Sequence, residues 1–129
     1  MSKIEPGLLY TKEDEWIKVA GDEATVGVTD HAQDALSDIV YLELPEVGDI
    51  FAAGESFGVV ESVKASADLY MPVSGEITAV NEDLLDTPEL VNTDPYGAAW
   101  LVKIKISDAA ELDEMMDAAA YAKYLEERD

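Results

Sequence analysis

Short β-favouring runs, separated by turns rich in glycine and proline, follow one another along most of this chain. They occupy residues 16–19, 24–28, 39–44, 50–51, 57–63, 67–71, 76–80 and 98–106. Between the first two runs, Gly21-Asp22 is a hairpin signal. Short strands at this spacing are typical of a sandwich or small barrel and disfavour a parallel α/β sheet. The sequence therefore predicts a mainly β fold.

Helical segments are predicted at two places beside these strands. In "TDHAQDALSDIV", Thr29 or Asp30 can cap a short helix that ends near Ser37. Near the C-terminus, Asp108 opens a turn or helix, and Asp117 caps a helix over "AAAYAKYLEER". The stretch "LLDTPELVNTDPYG" contains two prolines and predicts a loop.

The length of 129 residues predicts a single domain over 1–129, with residues 1–7 as a loose N-terminal extension. No run approaches the ~20 apolar residues of a membrane-spanning helix. The start "MSKIEPGLLY" has neither a secretory nor a transit pattern. A cytoplasmic protein is expected, and a mature mitochondrial form would share these features.

Composition excludes several classes of function. The 29 acidic and 8 basic residues give a formal net charge of −21, so nucleic acids and anionic membranes are not expected partners. The same charge favours salt-sensitive encounters with basic protein surfaces. The chain has no cysteine and one histidine, which leaves few nucleophile–base pairs for an independent enzyme. Sulfur redox chemistry would require an attached group.

Lys64 stands in the stretch "GVVESVKASADLYMPVSGEI", between two β-favouring runs. A two-residue connection at Lys64 and Ala65 would place Glu61 opposite Asp68, and such a pair of like charges destabilises a hairpin. Spacing alone leaves two interpretations open. Lys64 is either a solvated edge charge that offsets the two acids, or an amine presented for acylation with those acids as recognition groups.

The amino-acid sequence of this stretch resembles the lipoylation segment of the glycine cleavage system H protein family, with the modified lysine at Lys64. The segments "YTKEDEWIKV", "ATVGVTDHAQDALSDIVYLELPEVGD", "LVNTDPYGAAWLVKIK" and "AELDEMMDAAAYAKYLEE" resemble the same family in the same order. The resemblance covers the chain from about Leu8 onward. Such long motifs favour the acylation interpretation of Lys64.

The resemblance implies a non-catalytic, monomeric carrier with a barrel-sandwich hybrid fold (hammerhead, lipoyl-domain-like), short helices and a C-terminal helix. Lipoate would be joined by an amide to Lys64, with Glu61 and Asp68 as recognition groups around it. The implied partners are a PLP-dependent glycine decarboxylase, a tetrahydrofolate-dependent aminomethyltransferase, dihydrolipoamide dehydrogenase and a lipoate-attaching enzyme. The sulfur chemistry then belongs to the cofactor, and the protein supplies its position.

In this family the loaded arm folds into a cleft on the carrier, where exclusion of water protects it. The positions that match are Glu15, His31 and Asp68, and a carboxylate there suits a protonated amine. Each also has an ordinary interpretation, as a surface acid or as a histidine at a helix start. The chain departs from many relatives at Asp14, where they have a histidine, and this bears on the charge preference of the cleft.

Three other functions share some of these sequence features. A related H-like protein could serve in lipoate relay to other complexes. A lipoyl or biotinyl module of a larger complex shares the hairpin lysine but is shorter, and the biotin type has methionines where this chain has Val63 and Ala65. An acid-rich cation-binding protein would need a spaced Asp-x-Asp-x-Asp-Gly loop, a pattern the sequence lacks.

Overall fold

The computed structural model describes residues 3–128, which form two antiparallel sheets with short helices at their edges. Six strands make the larger sheet: Leu9–Tyr10 (β1), Glu15–Ala20 (β2), Glu23–Val28 (β3), Ile50–Phe51 (β5), Gly75–Val80 (β8) and Val102–Ile106 (β9). Their order across the sheet is β1-β2-β3-β9-β8-β5. This sheet contains the β2–β3 hairpin predicted at Gly21-Asp22.

Three strands make the smaller sheet, in the order β4-β6-β7. They are Ile39–Glu43 (β4), Ser56–Ser62 (β6) and Ser66–Tyr70 (β7). The main core lies between the two sheets and joins, for example, Ile17 and Ile104 of the larger sheet to Leu42 and Leu69 of the smaller one. The predicted mainly β, lipoyl-domain-like fold with a C-terminal helix is confirmed, and its two sheets do not close into a barrel.

The close approach of β4 and β6 depends on Gly58. A Cβ atom built there would stand 2.2 Å from the backbone oxygen of Glu43, a distance that no real side chain tolerates. The obstacle is backbone, so it cannot be relieved by turning a neighbouring side chain. Gly58 thus fixes the spacing of the sheet that carries Lys64.

The C-terminal helix covers the outer face of the larger sheet. It spans Ala118–Arg128 (α4) and begins, as predicted, at a cap in which Asp117 accepts a hydrogen bond from the Ala120 N–H at 2.8 Å. A second apolar cluster lies beneath it, where the rings of Tyr10 and Tyr121 stack with centroids 4.6 Å apart. The preceding 3₁₀ helix, Ala109–Glu114, is capped by Asp108.

The remaining helices are short. Asp30–Leu36 (α1) is capped by Thr29, whose Oγ1 accepts a hydrogen bond from the Ala32 N–H at 3.2 Å. Two single-turn helices, Asp83–Asp86 (α2) and Leu90–Thr93 (α3), occur where the sequence predicted a loop. Propensity missed them because tertiary burial supports them, through Leu84 on one and Val91 on the other.

The ends of the chain carry one missed strand and one prediction that stays open. Strand β1 was not predicted because two residues give no periodicity, and its pairing partners are β2 and the bridge residue Met116. Part of the predicted loose segment 1–7 lies outside the described residues. The described part of this segment begins at Lys3, whose carbonyl accepts a hydrogen bond from the Tyr96 hydroxyl at 2.6 Å. No helix among residues 3–128 is both long and apolar enough to cross a membrane.

Candidate functional site

Lys64 lies at the tip of the β6–β7 hairpin, in a turn organised by Ser62. The Ser62 Oγ accepts hydrogen bonds from the backbone N–H groups of Lys64 at 3.3 Å and Ala65 at 3.1 Å. The turn is also closed by a hydrogen bond from the Ser62 N–H to the Ala65 carbonyl at 2.8 Å. Lys64 itself is exposed, and neither of the two ion pairs within residues 3–128 involves it. Its amine is therefore free of packing and of charge partners in this part of the chain.

The register of the hairpin differs from the prediction. Glu61 pairs with Ser66, and Asp68 pairs with Val59, so the two acids do not stand directly opposite each other. The turn lies one residue earlier than predicted, because the Ser62 N–H donates to the Ala65 carbonyl and leaves Val63 and Lys64 as the two residues between them. Glu61 and Asp68 still share the outer face as diagonal neighbours, at a spacing of about 7–8 Å. Their repulsion is weaker there, and Lys64 is not needed to offset it.

A cleft of about 210 Å³ lies close to this hairpin, between α1, the start of β2 and the strands β6 and β7. Its floor is apolar and its rim is acidic, a combination that suits an apolar chain ending in a cation. The apolar lining is Val28, Ala32, Ala35, Leu36, Val60, Ala67 and Leu69. The acidic lining is Glu13, Asp14, Glu15 and Asp68.

Glu15 is the most buried polar group of the cleft, with 2% of its surface exposed. Its Oε2 accepts a hydrogen bond from the Tyr70 N–H at 2.6 Å, which ties the larger sheet to the smaller one. Its Oε1 is buried and has no hydrogen-bond partner among the described residues. Burial raises the pKa of Glu15 to about 8, and the charges of Glu13 and Asp14 act in the same direction. This carboxyl is thus poised to hold a proton or to receive a cation.

Two of the three predicted cleft residues meet in this cleft. Glu15 and Asp68 both line it, from β2 and from β7. His31 does not: it is half-buried on α1, and the helix presents Ala32, Ala35 and Leu36 to the cleft instead. The role of His31 stays a prediction.

Asp14 is engaged by the C-terminal helix. Its carboxylate accepts hydrogen bonds from the Tyr121 hydroxyl at 2.9 Å and from the Arg128 guanidinium at 3.0 Å. Tyr121 gives its only proton to Asp14, so the Thr29 hydroxyl, 2.9 Å away, donates to the Tyr121 oxygen. Thr29 in turn caps α1. Helix α4 therefore fixes both the turn before Glu15 and the helix on the other side of the cleft.

Comparison with known proteins agrees with this geometry. The family model described as glycine cleavage H-protein matches residues 8–128. The chain belongs to the glycine cleavage system H protein family. Members of this family are non-catalytic lipoyl carriers, so the chain is a carrier component and not an enzyme.

Relatives in the H protein family match over nearly the whole chain. The glycine cleavage system H protein of Halothermothrix orenii is 58% identical over 96% of this chain and 97% of its own length. The mitochondrial glycine cleavage system H protein 2 of Arabidopsis thaliana is 51% identical over 95% of this chain and 78% of its own. The crystal structure of an H protein from Mycobacterium marinum superposes with a TM-score of 0.89 at 40% identity, covering 95% of this chain and 99% of that one.

The hydroxyl of Tyr121 is a testable source of stability in this chain. In Tyr121→Phe, the stack with Tyr10 is kept, but Asp14 loses a donor and the Thr29 hydroxyl loses its acceptor. We expect the free energy of unfolding in urea to fall by about 2 kcal/mol, because one bond goes to a charged group and both are shielded from water. Tyr124→Phe on the same helix removes two exposed 3.4 Å contacts, one to the Lys12 carbonyl and one from the Arg128 guanidinium, and should change stability by less than about 0.5 kcal/mol. Equal losses in the two variants would contradict this role.

Sequence reasoning missed the parts of the site that come from distant segments. Tyr70 contributes a backbone N–H, which leaves no mark on the sequence. Tyr121 and Arg128 act from the C-terminal helix, more than a hundred residues from Asp14. The apolar face of α1 had a readable signal, since Ala32, Ala35 and Leu36 follow helical spacing.

Proposed function

We propose that this chain carries lipoate on Lys64 and serves as the shuttle of the glycine cleavage system. The observation that carries the proposal is the exposed amine of Lys64, which makes no ion pair within residues 3–128, on a hydrogen-bonded hairpin tip of a chain that belongs to the H protein family over residues 8–128. Lipoylation requires an amine that an enzyme can reach and whose side chain is not packed into the core. Lys64 meets both requirements.

The attached arm would move between three enzymes. A PLP-dependent glycine decarboxylase loads an aminomethyl group, an aminomethyltransferase passes the one-carbon unit to tetrahydrofolate, and dihydrolipoamide dehydrogenase reoxidises the dithiol. A fourth enzyme attaches the lipoate. The carrier's own contribution is position, since an arm on a docked carrier is present at a high local concentration. We infer a single, monomeric domain that acts in the cytoplasm, as expected from its bacterial relatives, although the plant relative is mitochondrial.

The cleft supports a resting place for the arm. Ala67, on the cleft wall, follows Lys64 by three residues, roughly 10 Å along an extended chain. A lysine side chain lengthened by a lipoyl chain spans this distance. The apolar lining would hold the chain and keep water away, and Glu15 would accept a hydrogen bond from a terminal ammonium group.

The unsatisfied Oε1 of Glu15 is the observation that favours a cationic group in the cleft. A buried acceptor without a partner costs the free energy of its lost hydration, and an ammonium donor would restore that bond. Glu61 and Asp68 flank the tip on its outer face, where they can contact the enzyme that modifies Lys64. His31 lies at the N-terminal end of α1 and would act from outside the lining of the cleft.

The mass of the protein isolated from its own host tests this function. The intact chain should be heavier than its sequence by one lipoyl group, and the peptide that contains Lys64 should carry the difference. Reconstitution with the decarboxylase and aminomethyltransferase then separates the shuttle from a lipoate-relay protein, because a relay protein would be lipoylated without supporting glycine cleavage. An unmodified Lys64 in the host would refute the proposal.

A further inference from the structure

Exposed apolar side chains cluster beside the lysine tip. Val40, Tyr41 and Val63, which we call the tip patch, are 52%, 49% and 66% exposed. Val63 binds the start of β4 directly, because its N–H donates to the Asp38 carbonyl at 3.0 Å. Tyr41 pairs with Glu61 two residues before the turn, and Val40 is the extra residue of a β-bulge beside it. The three residues thus lie at the same end of the smaller sheet, next to Lys64.

Acidic side chains border this patch. Asp38 and Glu43 flank it along β4, and Glu61 and Asp68 lie on the neighbouring strands of the same sheet. An apolar centre with a charged rim is the usual anatomy of a protein-binding surface. The charge of the rim requires a partner with basic residues around an apolar recess.

We propose that the tip patch is the docking surface for the enzyme that attaches lipoate to Lys64, an inference that rests on the proposed function. That enzyme must bring its reacting centre to the bare amine, which stands only a four-carbon stem away from the backbone. It therefore has to cover the residues around the tip. Enzymes that act on the dithiolane reach it at the far end of the arm and do not need to cover the tip.

The reaction at this surface is an acyl transfer. The Lys64 amine forms an amide with the acyl carbon of an activated lipoyl donor such as an acyl-adenylate. The bond from that carbon to the adenylate breaks, the adenylate leaves with the electron pair, and the amine proton passes to solvent. No residue of the tip patch takes part in the chemistry, and its contribution is to orient the tip.

A second copy of the chain is disfavoured as the occupant. Two copies carry −21 each, and a symmetric contact through the patch would bring the acidic rims together. The same acidic charge attracts the basic surface of an enzyme.

Matched substitutions test the proposal through the rate of lipoyl transfer to the full-length unmodified chain. Tyr41→Thr changes a strand residue and Val63→Ser a loop residue of the patch. Ile50→Thr and Val47→Ser are the corresponding controls, because these side chains are 73% and 64% exposed elsewhere on the molecule. We expect the patch variants to raise the KM for the carrier by about tenfold or more with little change in kcat, and the controls to match the wild type.

Each other result would overturn the inference. Patch variants lipoylated with the wild-type KM would show that the attaching enzyme does not use this surface. Normal lipoylation with defective loading by the decarboxylase would assign the patch to that partner, and a wild-type dimer lost in Tyr41→Thr would assign it to a second copy. If the wild type itself gains no lipoyl group at Lys64, the proposed function fails. Urea unfolding of each variant, expected within about 1 kcal/mol of wild type, excludes misfolding as the cause.

Discussion

Lys64→Arg is expected to abolish lipoylation completely and, with it, all shuttle activity in a reconstituted glycine cleavage assay. Arginine keeps the positive charge, but its guanidinium remains protonated at any physiological pH and cannot act as the nucleophile that forms the amide. The fold should be unaffected, since Lys64 is exposed and the turn is organised by the backbone and by Ser62. Intact mass after exposure to the attaching enzyme and lipoate measures the first effect, and urea unfolding measures the second.

Lys103→Arg is the matched control for this variant. Lys103 is also an exposed lysine, but it lies on strand β9 of the larger sheet. Its amine is 5.3 Å from the centre of the Trp100 ring. The Lys103→Arg variant should gain one lipoyl group, as the wild type does. A mass increase that survives Lys64→Arg would place the modification elsewhere, and unfolding of Lys64→Arg would mean that the lysine is structural.

Glu15→Gln is expected to remove a pH dependence of stability that the wild type shows between about pH 5 and pH 8. The folded-state pKa of Glu15, about 8, lies above its usual value near 4.5, so folded protein holds a proton that the unfolded chain has released. The stabilisation by this proton is complete below the unfolded pKa and is lost as the pH rises through the folded one. Each unit of pKa difference is worth about 1.4 kcal/mol, so wild type should lose several kcal/mol relative to Glu15→Gln.

Urea unfolding of the unmodified chain at pH 5, 6.5 and 8.5 measures this difference. Gln keeps an acceptor for the Tyr70 N–H but does not titrate, so the comparison isolates the Glu15 proton from the repulsion among the other acids. Glu46→Gln, which changes an exposed acid on a different turn, should follow the wild-type profile. Parallel profiles for wild type and Glu15→Gln would show that the buried carboxyl titrates normally.

The loaded carrier provides a second readout for Glu15. If the ionised carboxylate holds the ammonium end of the arm, Glu15→Gln should shorten the lifetime of the aminomethyl group against hydrolysis by about tenfold, the value of one charge-assisted hydrogen bond. His31→Ala should have a smaller effect, because His31 does not line the cleft. An unchanged lifetime in Glu15→Gln would exclude this residue from protection of the arm.

Local patterns predict several features of the fold: the order of the strands along the chain, the Thr29 cap, the Asp117 cap and the exposure of Lys64. Alternation of side chains, turn residues and capping residues act within a few positions, so they can be read from neighbouring letters. The quoted motifs placed the chain in its family for the same reason, and they identified Lys64 and Glu15 by position. Local patterns failed where stability came from elsewhere, as in β1, α2 and α3.

Neighbouring residues were sufficient to identify Lys64 as the exposed amine of a β-hairpin. Folding of the whole chain set the register that separates Glu61 from Asp68, and the burial that leaves one oxygen of Glu15 without a partner among the described residues. It also decided that Asp14 is held by Tyr121 and Arg128. These features depend on backbone groups and side chains that are distant along the chain, and their positions are set by packing of the whole molecule. No local pattern of residues encodes them.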